Sequence, residues 1–159
     1  MDGYGKRVLV VDDDEQIRLL MGVVFERAGY NVVPVGDGLD ALVEVRKRHF
    51  DVVVTDYVMP MLNGQQLFDC IRTMYPEMPV ILVSGELPDF LAAGRNTPFF
   101  ACLRKPFDND VLLELLRSAV ASPEAARSES PSQLTAADPA SIRGSVSAAS
   151  GEAVQRARS

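Results

Sequence analysis

Short apolar runs alternate with segments of helical periodicity along the first 121 residues of this chain. Five runs have the length of strands, and each is followed by apolar residues at three- and four-residue spacing. Strands that alternate with helices in this way favour a parallel sheet with helices on both faces. The run at residues 52–55 is almost continuously apolar, which predicts a central strand buried on both sides. The sequence therefore predicts an α/β fold, a doubly wound sheet of five parallel strands.

Turn residues set the limits of the predicted elements. Residues 86–98 are confined to about two helical turns by Pro88, Gly94 and Pro98. Asp108 is expected to cap the last helix, and Gly29 to follow the first. The predicted strands are 8–11, 31–35, 52–55, 80–83 and 99–104, and the predicted helices are 15–28, 39–48, 65–74, 86–98 and 109–121.

Composition changes sharply beyond residue 121. Residues 122–159 are mostly Ser, Ala, Pro and Gly, with scattered charge and few large apolar side chains. Such a segment cannot bury enough surface to offset the entropy lost on ordering. We therefore expect one folded domain over residues 1–121 and a disordered tail over residues 122–159.

Charge and composition exclude several classes of protein. A formal net charge of -6 argues against nucleic acid as a direct partner, because phosphate backbones attract basic surfaces. No apolar run approaches the roughly 20 residues of a membrane helix, and the N-terminus lacks the apolar core of a signal peptide. We expect no membrane insertion and a cytoplasmic location. Cys70, Cys102 and His49 lack metal-ligand spacing and are expected to be packed thiols and a solvated helix end.

Side chains suited to phosphate or metal chemistry follow four of the predicted strands. Asp12 and Asp13 follow the first strand, Asp56 the third, Ser84 the fourth and Lys105 the fifth. The carboxyl ends of parallel strands meet along one edge of an open sheet, where ligands bind. Three carboxylates, a hydroxyl and an ammonium group are therefore expected to converge.

Three carboxylates at adjacent strand ends repel one another unless a cation joins them. A single acidic residue would need no such partner, because a helix N-terminus favours it by about 0.3–1 kcal/mol. A hard divalent ion with oxygen ligands resolves the repulsion, and we expect Mg²⁺. Ser84 and Lys105 add donors for anionic phosphoryl oxygens, and an Asp carboxylate can itself accept a phosphoryl group. The sequence predicts an aspartyl-phosphate site that modifies itself rather than turning over a second substrate.

Four segments carry a family resemblance over residues 6–121. VLVVDDDE, VVVTDYVMPMLNG, VILVSGE and LRKPF resemble, in order and spacing, the signature segments of the response-regulator receiver domain of two-component signalling. The resemblance implies a flavodoxin-like sheet with strand order 2-1-3-4-5. It also implies a stand-alone switch that accepts a phosphoryl group from a sensor histidine kinase or a histidine phosphotransfer protein. Self-phosphorylation from a phosphodonor and self-dephosphorylation, both dependent on magnesium, would be its only enzymatic activities.

The same resemblance assigns a role to each site residue. Asp56 takes the phospho-acceptor position. Asp13 matches the direct magnesium ligand and Asp12 a neighbour that acts through water, while Asp56 and the backbone carbonyl of Val58 complete the protein ligands. Ser84 matches the switch hydroxyl.

Lys105 matches the lysine that contacts the acyl phosphate. Pro106 matches a proline whose preceding peptide bond is typically cis.

The chain departs from the family pattern just before Lys105. Family members commonly carry Tyr or Phe three residues before the lysine, where this chain has Cys102. Pro98 and Phe99 replace the usual Gly-Ala entry to the fifth strand. We therefore expect Ser84 to signal through backbone movement of residues 86–91 rather than through an aromatic side chain.

Three other functions fit these motifs less well. A haloacid-dehalogenase-type phosphatase places its nucleophile first, in a D-x-D motif, whereas here the acidic pair precedes Asp56. A receiver that binds partners without phosphate usually lacks an acidic residue or the lysine, and this site is complete. A DNA-binding regulator would need a helix pair or basic stripe after residue 121.

The resemblance also indicates where partners would bind. Output is expected through an unknown downstream protein target on the surface of the fourth helix, fifth strand and last helix. The phosphodonor is expected to dock around Gln16, Ile17 and Leu20.

Overall fold

The computed structural model of the chain describes residues 3–86 and 97–121. The strands and helices in these ranges follow one another in the predicted order. The strands are β1 (Arg7–Val11), β2 (Asn31–Val35), β3 (Val52–Thr55), β4 (Val80–Ser84) and β5 (Ala101–Arg104). The helices are α1 (Glu15–Arg27), α2 (Gly38–Lys47), α3 (Gly64–Met74) and α4 (Asn109–Ala121).

The five strands pair in parallel in one sheet, in the order β2-β1-β3-β4-β5. This confirms the doubly wound α/β sheet and the flavodoxin-like strand order. Every residue of β3 is buried, as predicted from its continuous apolar run. Val11 pairs with Val35 on one side and with Thr55 on the other. The strands that precede the acidic residues therefore end level with one another.

Side chains of the inner strands alternate between two hydrophobic clusters, one on each face of the sheet. In β1, Val8 and Val10 belong to the first cluster, and Leu9 and Val11 to the second. Buried residues of α1 and α4 complete the first cluster, and those of α2 and α3 the second. Successive strand residues point to opposite faces, so one unbroken apolar run supplies both cores.

Helix ends follow the local sequence signals. Gly29 has a φ of 99° just after α1, a conformation that glycine adopts without steric cost. The Asp108 carboxylate accepts a 2.7 Å hydrogen bond from the Asp110 amide and caps α4, as predicted. Asn63 and Gln66 form a capping box at the start of α3. This box anchors the end of the loop that begins at Asp56.

Two differences from the predicted pattern concern helix faces. Helical spacing predicts that Leu20 and Val111 lie on the apolar, core-facing sides of their helices, but they are 45% and 43% exposed. Successive helix residues are about 100° apart, so Leu20 lies beside the stripe that Met21 and Phe25 bury. Leu20 therefore belongs to the outer surface of α1.

The fifth strand begins two residues later than predicted. Phe99 is buried, but its amide donates a 3.3 Å hydrogen bond to the Thr97 hydroxyl rather than joining a strand ladder. Such local side-chain bonds compete with regular structure. Of the helix predicted over 86–98, only residues 86, 97 and 98 are described, and the tail predicted over 122–159 lies outside the described residues.

Phe25 packs α1 against the first hydrophobic cluster. Its ring is fully buried and meets Tyr30 edge-on, with 6.4 Å between centroids. We predict that Phe25→Ala lowers the free energy of unfolding by about 3–5 kcal/mol, because it removes buried contacts and leaves a cavity. Leu19→Ala, on the same helix at 63% exposure, should change it by less than about 0.5 kcal/mol. Urea unfolding of both variants measures this, and equal effects would contradict the assigned packing.

Candidate functional site

Three carboxylates meet where β1 and β3 end. Asp12 and Asp13 follow Val11, and Asp56 follows Thr55, the strand partner of Val11. Asp12 is fully buried, Asp56 is 7% exposed, and Asp13 faces solvent. One carboxylate oxygen of each residue lies within 4.8 Å of those of the others. The predicted convergence of the three acidic residues is therefore present.

Lys105 joins two of these carboxylates. Its Nζ lies 2.7 Å from Asp12 Oδ2 and 3.2 Å from Asp56 Oδ2. Its amide donates to the Ser84 carbonyl at 2.9 Å, which ties the loop after β5 to the end of β4. The Lys105–Pro106 peptide bond is cis, as the resemblance implied. Lys105 thus reaches across β4 to the acidic residues, as expected from the strand order.

Backbone hydrogen bonds hold the acidic residues in place. Asp12 Oδ1 accepts from the Asp14 amide at 2.9 Å, and Asp56 Oδ1 accepts from the Tyr57 amide at 2.7 Å. The buried Thr55 hydroxyl donates to the Asp56 carbonyl at 2.9 Å. Each buried carboxylate therefore has one oxygen on a backbone amide and the other on Lys105.

Burial and charge shift the proton affinities in this site. Burial raises the pKa of Asp12, and the hydrogen bonds from Lys105 and the Asp14 amide only partly oppose it. Burial alone would lower the pKa of Lys105, but the hydrogen bond and charge of Asp12, with those of Asp56, raise it instead. Lys105 is therefore protonated at neutral pH, while the negative charge on Asp12 costs stability.

The donor set fits a hard divalent cation. Mg²⁺ prefers oxygen ligands and commonly binds through one or two carboxylates with several waters. Here three carboxylate oxygens lie close enough together to bind one ion, and Asp13 is exposed to solvent. A second positive charge would also relieve the cost of ionising Asp12. These residues suit a magnesium site on chemical grounds.

The Ser84 hydroxyl is bonded to the loop that follows β4. The residue is buried at the carboxyl end of the strand, level with Arg104 of β5. Its Oγ accepts from the Glu86 amide at 3.2 Å and lies 3.3 Å from the Glu86 carbonyl, to which it donates. Ser84 therefore lies at the predicted edge, with its hydrogen bonds directed to the loop. Residues 87–91, through which we expected the signal to pass, lie outside the described ranges.

The loop after Asp56 folds back on that residue. Val58 is 47% exposed, and Met61 has a φ of 70° within a tight turn that joins the Leu62 amide to the Pro60 carbonyl at 2.7 Å. The Gly64 amide donates to the Tyr57 carbonyl at 2.7 Å. A Cβ on Gly64 would lie 2.5 Å from the Asp56 carbonyl oxygen, so no side chain fits there.

Cys102 occupies the β5 position where the family commonly has an aromatic residue. It packs against the cluster on the α2 and α3 face, and burial raises the pKa of its thiol to about 12. Phe99 is fully buried, with its ring centroid 4.7 Å from that of Phe68 on α3. His49 lies at the opposite edge of the sheet, beside Asp51 at 3.3 Å, where we expected a solvated helix end.

Two polar residues at this edge were not predicted from the sequence. The Thr55 hydroxyl holds the Asp56 carbonyl, and Arg18 Nη1 donates to the Asp12 carbonyl at 2.7 Å. The sequence did contain a signal for the Arg18 contact. Arg18 lies near the start of the helix that follows Asp12, where its long side chain can reach back over the loop.

Comparison with known proteins decides the family. Residues 8–117 match the profile of the response regulator receiver domain. The chain belongs to the response regulator receiver domain family. Proteins of this family are phospho-accepting switches that interact with sensor kinases and phosphotransfer proteins and bind Mg²⁺ in general. The predicted fold and family are therefore confirmed.

Known relatives of different lengths share this domain. The chain is 31% identical over 121 residues to the protein PilG of Pseudomonas aeruginosa, covering 74% of this chain and 90% of PilG. It is 35% identical over 115 residues to the transcriptional regulatory protein GlrR of Escherichia coli, covering 71% of this chain and 26% of GlrR. The chain thus spans about a quarter of the length of that regulator. The chemotaxis protein CheY4 of Vibrio cholerae has a similar structure, with a TM-score of 0.64 and 30% identity over 72% of this chain and 98% of CheY4.

None of the helices in ranges 3–86 and 97–121 has the length and apolar character that a membrane span requires.

The raised pKa of Asp12 has a consequence for stability without divalent cations. A group whose pKa is higher in the folded state makes the protein less stable as pH rises through that pKa. We predict that Asp12→Asn is more stable than the unsubstituted protein at neutral pH, because it removes the buried charge and keeps an acceptor for the Asp14 amide. The difference in free energy of unfolding should shrink as pH falls below the raised pKa of Asp12. Urea unfolding in EDTA from about pH 4 to pH 7.5 measures it, and a difference that does not change with pH would contradict the burial effect.

Proposed function

We propose that Asp56 is the phospho-acceptor of this receiver domain, with Asp12, Asp13 and the Val58 carbonyl completing the magnesium ligands. The contact that carries the proposal is the Lys105 ammonium, which lies between the Asp12 and Asp56 carboxylates at 2.7 Å and 3.2 Å. An acceptor must be reachable by a phosphodonor. Asp56 retains 7% exposure, while Asp12 is fully enclosed.

The chain's own groups are arranged for transfer to Asp56. A carboxylate oxygen attacks the phosphorus, and the P–N bond to the donor's imidazole breaks with its electron pair returning to the nitrogen. The Tyr57 amide and Lys105 hold the carboxylate in a fixed orientation before the donor arrives. When bound, Mg²⁺ would neutralise charge that develops on the phosphoryl oxygens. Lys105 then meets the anionic acyl phosphate without a large movement.

Ser84 would couple the phosphoryl group to the surface. Its hydroxyl donates to the Glu86 carbonyl, so a phosphoryl oxygen on Asp56 would compete with that carbonyl for the hydroxyl proton. Turning the hydroxyl toward the phosphoryl group would release the Glu86 carbonyl, at the start of the loop after Gly85. No aromatic side chain is required for this step, which agrees with Cys102 at the usual aromatic position.

Partners and location remain predictions. We propose a sensor histidine kinase or histidine phosphotransfer protein as the phosphodonor and a protein as the downstream target, without direct nucleic-acid binding. Leu19, Leu20 and Val23 form an exposed apolar surface on α1 and support docking of the donor there. A cytoplasmic location completes the proposal.

Phosphorylation by acetyl phosphate tests the acceptor directly. With Mg²⁺ present, we expect intact-mass spectrometry to show one added phosphoryl group on the unsubstituted protein. Asp56→Asn should reduce the phosphorylated fraction at least tenfold, because it removes the nucleophile. Asp69→Asn, on the exposed surface of α3, should leave it unchanged. An Asp56→Asn variant that is phosphorylated at the normal rate would refute the assignment, and no modification of any variant would favour a receiver that acts without phosphate.

Val58 is expected to slow the loss of the phosphoryl group. It lies two residues after Asp56, where an apolar side chain shields the acyl phosphate from water and offers no group to orient a water molecule. We predict that Val58→Asn shortens the phosphoryl lifetime several-fold, while Val43→Asn on α2 has no effect. The decay of phosphorylated protein after removal of acetyl phosphate measures this. Equal decay of both variants would contradict a shielding role.

A further inference from the structure

Asp13 is the acidic residue of the site whose carboxylate is least constrained by direct contacts. Its side chain is exposed, and the described ranges provide it with no hydrogen bond. Asp12 and Asp56, by contrast, are each held by a backbone amide and by Lys105. Any fixed orientation of the Asp13 carboxylate must therefore come from its backbone.

The two peptide groups that flank Asp13 are both anchored. The carbonyl of the Asp12–Asp13 peptide accepts from Arg18 Nη1 at 2.7 Å. The amide of the Asp13–Asp14 peptide donates to Asp12 Oδ1 at 2.9 Å. These bonds restrict φ and ψ of Asp13, and the direction of its Cβ follows from the backbone. Arg18 supplies one of the two restraints.

Gly36 provides the space in which the Arg18 guanidinium lies. A Cβ on Gly36 would lie 3.3 Å from Arg18 Nη1 and 3.7 Å from Cζ. Gly36 follows β2, whose last carbonyl, on Val35, accepts from the Asp12 amide at 3.2 Å. Unlike Gly29, Gly36 does not adopt a positive φ, so its backbone conformation does not call for glycine. The absence of a side chain is the property that the packing uses.

We propose that Arg18 is a positioning residue that directs Asp13 toward the cation by fixing the Asp12–Asp13 peptide, and that Gly36 makes room for its guanidinium. This inference rests on the proposed magnesium site. Simple electrostatics predicts the opposite effect of Arg18 on Mg²⁺ affinity. A guanidinium near a divalent ion repels it, so removal of Arg18 would tighten binding if charge alone mattered. Positioning predicts weaker binding.

Calorimetric titration of Mg²⁺ into the full chain distinguishes these effects. We expect Arg18→Met to weaken Mg²⁺ binding by about tenfold, the size typical of residues that orient a metal ligand. Arg27→Met makes the same chemical change on the exposed last turn of α1 and should leave the affinity unchanged. Tighter or unaltered binding by Arg18→Met would overturn the proposal.

Gly36→Ala perturbs the position of the Arg18 guanidinium without a change in charge. We expect it to weaken binding by less than Arg18→Met does, because the added Cβ would lie 3.3 Å from Arg18 Nη1 and shift the guanidinium by a few tenths of an ångström. In the double variant, Gly36→Ala should add nothing to Arg18→Met, since both act through one contact. Additive effects would overturn the proposal. A wild-type protein that binds no Mg²⁺ would refute the magnesium site itself, whereas failure of this inference alone leaves that binding and Asp56 phosphorylation intact.

Discussion

The contact of Lys105 with Asp12 and Asp56 is the interaction on which the site depends. Two carboxylates buried at neighbouring strand ends repel each other, and at an effective dielectric of about 20 the repulsion amounts to a few kcal/mol. The Lys105 ammonium lies 2.7 Å from one and 3.2 Å from the other. Lys105 follows β5, and its side chain reaches past β4 to the two carboxylates. The sheet must therefore be complete before the ammonium can balance the charges of Asp12 and Asp56. Fold and site are therefore coupled through one side chain.

Lys105 balances the negative charge of the two buried carboxylates only in part. Burial still raises the pKa of Asp12 in the presence of Lys105, so the folded protein holds negative charge at a cost in stability. A divalent cation or a phosphoryl group with its cation would redistribute that charge. The Ser84 hydroxyl, bonded to Glu86, lies at the same edge, where such a redistribution can reach the loop.

Much of this arrangement could be predicted from the sequence, because strand periodicity and the alternation of elements determine which residues share an edge. Asp12, Asp13, Asp56, Ser84 and Lys105 were placed in this way. Contacts that depend on side-chain reach or on packing were missed. The structure was needed to find the hydrogen bond from Arg18 to the Asp12 carbonyl and the space left by Gly36, because both depend on how two loops lie next to each other. The late start of β5 depends on the hydrogen bond from the Phe99 amide to the Thr97 hydroxyl, and hydrophobic periodicity cannot predict such a bond.

We propose that a phosphoryl group on Asp56 is bound by Lys105 and sensed by Ser84. The most direct measurement is the amide NMR spectrum with Mg²⁺, before and after addition of beryllofluoride, which mimics an acyl phosphate. We expect the signals of Tyr57, Ser84 and Lys105 to shift, while those of Arg7 and Asp51 at the opposite edge of the sheet stay in place. Unchanged signals at Ser84 and Lys105 would contradict the account.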